Sequence, residues 1–151
     1  MKNYIQIVMA VAVTAIMIVC TIEDICNKRI HTVWIAAFTG LNFFLAWYSK
    51  TDWKDMAAGL VMGIVLMVIS ICTDEKIGKG DAFIVAGMGV YLGFQTVLMI
   101  VFAALILVCL YGGIFWRRKK GLAYEVAFIP FLLVPYVPAV LTQLYYSNLS
   151  V

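Results

Sequence analysis

Apolar and polar positions in this chain come in long blocks. Tyr4 to Thr21 is 18 residues without a charge, Thr32 to Tyr48 is a second apolar stretch, and Met56 to Thr73 is a third. Crossing a bilayer as a helix takes roughly 17–25 residues, so each block predicts one span. Short polar or charged connections separate them: Glu23-Asp24-Ile25-Cys26-Asn27-Lys28-Arg29, then Ser49 to Asp55, then Asp74-Glu75-Lys76-Ile77-Gly78-Lys79-Gly80-Asp81. From Ala82 to Trp116 run 35 residues with no charge at all. One straight helix of that length would measure about 50 Å, against a hydrocarbon core of about 30 Å, so this run predicts two spans. The break is placed at its polar cluster, Gly93-Phe94-Gln95-Thr96, giving a short fourth span, Asp81 to Leu92, and a fifth, Thr96 to Trp116. A sixth is expected from about Val126 to Tyr146. It holds all three prolines, Pro130, Pro135 and Pro138, and is expected to be kinked or broken early.

Composition agrees with that pattern. The chain is 65% hydrophobic and 13% charged, with a mean hydropathy of +1.02; soluble domains hold roughly 45–50% apolar residues. The fold class expected is an all-α polytopic membrane protein, six transmembrane helices in one bundle, with residues 1–151 forming a single domain. The first apolar run has no small-residue cleavage site after it and reads as a retained span. Gly59 and Gly63 have the four-residue spacing that lets two membrane helices approach closely.

Charge adds orientation. The connections after the first, third and fifth spans carry Lys28, Arg29, Lys76, Lys79, Arg117, Arg118, Lys119 and Lys120; the opposite side holds Lys2, Lys50 and Lys54. The positive-inside rule then puts both termini outside and these connections in the cytoplasm. The net charge of +3 is explained by topology and by attraction to lipid headgroups, not by nucleic acid. Cys20, Cys26, Cys72 and Cys109 form no CxxC pair, and the lone histidine, His31, is not at ligand spacing from them. No metal site and no cofactor are implied.

The same topology places two carboxylates, Asp24 and Asp81, at one depth on the cytoplasmic side. Asp81 ends Gly78-Lys79-Gly80-Asp81, where glycines on either side of one residue let the backbone turn freely and approach another element closely at the start of a helix. A carboxylate at a membrane helix end is a functional candidate by default. A pair of them can work as an acid–base dyad on a water molecule. The plainer reading makes both residues helix caps, or pairs Asp24 with Lys28 or Arg29. Glu23, Asp74 and Glu75 in the same connections read as solvated, so Glu23→Gln and Asp74→Asn are expected to leave activity largely intact. His31 reads as an interfacial residue.

These residues resemble the membrane-embedded GxGD aspartic peptidases, specifically type IV prepilin peptidases in their short form. Asp24 with Arg29-Ile30 after it, Gly78-Lys79-Gly80-Asp81, and Phe128-Ile129-Pro130-Phe131 each match a stretch of that family. His31-Thr32 departs from it, standing where Pro-Asn is usual. The resemblance implies Asp24 and Asp81 as catalytic residues, with Gly78, Lys79, Gly80, Arg29 and Pro130 in support. It implies prepilin or pilin-like precursors with a short basic leader as substrates, cut at the cytoplasmic face of the cell membrane. The paired cysteines linked to methylation in longer members are not found, so peptidase activity alone is implied. Glu23, Asp74 and Glu75 are candidates for attracting the basic leader. A six-span transporter or channel subunit, with Asp24 and Asp81 as ion or proton ligands, is the alternative of a different class, although no internal repeat of the kind common in transporters is evident. An assembly protein that kept the fold without the activity is a third.

Overall fold

The computed structural model describes residues 2–27, 30–49, 51–72, 78–116 and 127–149. The described residues form five helices: α1 (Lys2–Asn27), α2 (Thr32–Ser49), α3 (Trp53–Cys72), α4 (Lys79–Trp116) and α5 (Ile129–Leu149). All but α2 are long and apolar enough to cross a membrane, which makes this an all-helical, multi-pass membrane protein. α2 is uncharged but carries Thr39, Asn42 and the aromatic end Trp47-Tyr48, which lower its hydropathy.

The uncharged run from 82 to 116 does break, and at the expected place. Gly93 has φ 77 and ψ 167 inside α4, a left-handed value that glycine adopts without a Cβ clash. The chain doubles back there. A straight helix would carry Tyr111 about 45 Å from Asp81. Instead the Tyr111 ring lies 5.4 Å from that of Phe131, two residues past Ile129, which bonds Asp24, and Asp24 and Asp81 line one cavity. The halves 79–92 and 94–116 are thus antiparallel arms of one element, with Gly93 beside Asp55 at the far end.

The first arm packs along α3, and small residues set how close it comes. A Cβ on Gly59 would land on the Gly89 carbonyl, and one on Gly63 on Ala86. With lipid as solvent there is little hydrophobic drive between helices, so backbone-close packing of this kind carries the association. The buried core lies between α1, α2, α4 and α5 and includes Met17, Phe38, Leu45, Ile84, Val85, Met88, Leu132 and Tyr136. Tyr136 stacks at a tilt on Phe38, ring centroids 6.4 Å apart. Its hydroxyl bonds to Thr14, which keeps a buried phenol paired.

Two boundaries differ from the sequence reading. α1 continues six residues past Thr21, through Glu23 and Asp24 to Asn27, because charge ends the apolar stretch without ending the helix. α5 starts at Ile129 and runs through Pro135 and Pro138 without the expected break. Pro130 sits in the first turn, where a missing N–H costs nothing. Each inner proline removes a helical N–H donor and crowds the carbonyl one turn back, and the helix nonetheless continues to Leu149.

Candidate functional site

A cavity of about 640 Å³ opens where the end of α1, the start of α2 and the start of α4 meet. It is lined by Asp24, Ile30, Thr32, Ile35, Ala36, Thr39, Gly78, Lys79, Gly80, Asp81 and Phe83. Asp24 and all four residues of the Gly78–Asp81 motif therefore meet in one space.

Asp24 occupies the last turn of α1 and is 9% exposed. Its Oδ2 accepts the Ile129 N–H at 3.2 Å, and the carboxylate also accepts from the Phe128 N–H. These are unpaired donors at the N-terminus of α5, a setting that favours an anion. Pro130 does not line the cavity. It follows Ile129 in the first turn of α5, next to the N–H that Asp24 accepts. Asp81 is the third residue of α4 and is 8% exposed. Its N–H donates to the Gly78 carbonyl at 3.1 Å, and its carboxylate accepts the Gly78 N–H in return, a reciprocal closure of the helix start. The two carboxylates are near enough for their charges to interact.

Both aspartates are thus helix caps, and both face the cavity. The two readings of the sequence do not exclude each other. A carboxylate offers about four acceptor sites, so holding one or two N–H groups leaves capacity for a water or a substrate.

Gly78 and Gly80 do not use the left-handed backbone that a free turn allows; among the described residues only Gly93 has a positive φ. Gly80 provides room instead. A Cβ there would lie 3.1 Å from Ile30 Cδ1 and 3.5 Å from Ile35 Cδ1, so the α2 side of the cavity presses directly on the backbone beside Asp81. Lys79 is on the lining. Arg29, Lys28, Asp74 and Glu75 lie outside the described residues.

The sequence reading missed two things. One is the α2 wall, Thr32, Ile35, Ala36 and Thr39, apolar or small residues at helical spacing that look like ordinary span. The other is Glu23, which is half-buried and has partners on the neighbouring helix. Its Oε2 accepts the His31 N–H at 3.1 Å and its Oε1 accepts the Trp34 Nε1–H at 3.0 Å. No periodicity signals that link. Among the described residues no three of His, Cys, Asp and Glu gather as a metal site would need.

Two buried carboxylates from different helices line one cavity at the ends of apolar helices, an arrangement able to support polar chemistry. The chain belongs to the type IV leader peptidase family: the model of that family matches residues 11–113. The match takes in both Asp24 and Asp81 and stops short of α5. It makes the chain a peptidase of the leader-cleaving kind, with prepilin-like substrates. No curated protein and no solved structure matches the chain.

Proposed function

We propose that the chain is an aspartic endopeptidase that cuts the leader from type IV pilin-like precursors at the cytoplasmic face of the cell membrane, with Asp24 and Asp81 as its catalytic pair. The observation that carries this is the meeting of two sequence-distant carboxylates on the cavity of a leader-peptidase family member. Two carboxylates in mutual reach hold one proton between them, because ionising both is costly. The ionised member takes a proton from a water placed between the two. The protonated member donates to the scissile carbonyl as the oxyanion forms. The pair titrates as a unit, so neither residue has a fixed role. The N–H groups of Ile129 and Gly78 hold the carboxylates in place so that little reorganisation is needed during the reaction.

The topology that goes with this is six membrane crossings, the two arms of α4 counted separately, with both termini outside. The reversal at Gly93 and the excess of Lys and Arg on one side support it. The precursor's apolar helix then lies in the bilayer while its basic leader stays in the cytoplasm. Glu23 is committed to His31 and Trp34, so attraction of the leader falls to Asp74 and Glu75.

Processing of a co-expressed pilin precursor tests the proposal. Asp24→Asn and Asp81→Asn are each expected to lower cleavage by at least about 10³-fold while the protein still inserts and folds, and Asp74→Asn to retain most activity. Near-normal cleavage by either folded single variant would remove the dyad, and proton-coupled transport would then have to be assayed.

A further inference from the structure

The backbones of the helices that carry the two aspartates do not approach closely, although both helices add side chains to the buried core. Among the described residues α1 and α4 make no extensive contact; α1 packs on α2 and α5, and so does α4. The separation of Asp24 from Asp81 is therefore set by intermediaries. On one side the intermediary is α5, whose Ile129 N–H holds Asp24. On the other it is α2, whose attachment to α1 next to the site runs through Glu23.

Glu23 and Asp24 are neighbours on α1 and point about 100° apart. Asp24 faces the cavity. The Glu23 carboxylate spreads over α2, with one oxygen on the His31 backbone N–H and the other on the Trp34 indole N–H. Those bonds bracket the α2 N-terminus, where the His31 carbonyl accepts the N–H of Trp34 and of Ile35. The residues fixed there include Ile30 and Ile35, whose side chains abut Gly80, the residue before Asp81. A continuous mechanical path results: Asp24, Glu23, His31 and Trp34, Ile30 and Ile35, Gly80, Asp81.

We infer that Glu23 is a positioning residue for the proposed cleavage, a clamp that sets the distance between the two aspartates by pinning the start of α2. The inference rests on the dyad reading. It requires a carboxylate, since both oxygens act as acceptors. Glutamine presents one oxygen and one NH2 group, so it breaks one of the two bonds and turns a donor toward a donor. A misplacement of about 1 Å in a reacting geometry costs up to about 10²-fold in rate, and a half-broken clamp should cost less.

The test compares wild type, Glu23→Gln, Trp34→Phe and the double variant, each as the full chain in detergent. The substrate is a leader-bearing pilin precursor. Glu23→Gln is expected to lower kcat about tenfold with KM within about twofold of wild type, and Trp34→Phe to lower kcat about threefold. The double variant should fall no further than Glu23→Gln, because both substitutions cut the same link. The 15N indole resonance of Trp34 reports the clamp without any need for activity and should move upfield in Glu23→Gln. A moved resonance with unchanged kcat would overturn the inference, as would an unmoved resonance or a loss expressed only in KM. If Glu23→Gln lowers kcat tenfold while the Asp24→Asn chain still cleaves, the dyad has failed and this inference with it. If the dyad variants are inactive and Glu23→Gln is normal, only the clamp has failed.

Discussion

Two helix pairs in this protein are held together in opposite ways. α3 and the first arm of α4 meet directly, glycine on glycine, with Gly59 against Gly89 and Gly63 against Ala86. α1 and that same arm carry Asp24 and Asp81, which line one cavity, and their backbones make no comparably close approach. The first pair has no space for a substrate and none is needed. In the proposed function the second pair must leave room for a substrate, with α2, α5 and a few hydrogen bonds bracing its walls. A site between membrane helices is kept open by bracing its walls from behind, and the braces are polar because a side-chain carboxylate or a helix N-terminus fixes direction as well as distance.

That contrast can be broken at either end. The largest effect on folding is expected from Gly59→Leu, which drives a side chain into the Gly89 backbone; loss of most folded protein in detergent, followed by size-exclusion chromatography, would confirm a backbone-close contact. Gly59→Ala should cost about 1–3 kcal/mol as an overpacked interface, read as a lowered Tm. Gly93→Ala is next, at about 1–2 kcal/mol, for placing a Cβ at φ 77. Asp24→Asn and Asp81→Asn should change stability least, because asparagine keeps an acceptor oxygen for the Ile129 and Gly78 N–H groups. The direct pair is thus expected to be sensitive in stability and the braced pair in rate. Topology is checked separately by cysteine labelling. Position 119 should react from the cytoplasm and position 49 from outside; the reverse would remove the cytoplasmic placement of the site.

Much of this was legible in the residues because the bilayer enforces it. The all-helical class and the break at Gly93 follow from block lengths against a fixed hydrocarbon thickness, and a close helix contact at Gly59 and Gly63 from their four-residue spacing, although not which helix they meet. The coming together of Asp24 and Asp81 was legible too, since alternate connections share a side. Glu23 was not. Its partners are a backbone N–H eight residues on and an indole eleven residues on, reached only once the chain has turned back between α1 and α2. Of the two uses the residues offered for the motif glycines, close approach is the one seen: Ile30 and Ile35 lie against Gly80 beside Asp81, and neither Gly78 nor Gly80 has a positive φ.

The central claim is that Asp24 and Asp81 act as one unit across the cavity. The most direct measurement is single-turnover cleavage of one precursor by Asp24→Asn, Asp81→Asn and the double variant, purified and compared at equal folded concentration. Residues of a single catalytic unit are not additive. The expected result is that each single variant loses nearly all the rate and the double variant falls no further. Near-wild-type cleavage by either single variant, or a double variant slower by the product of the two single losses, would contradict it.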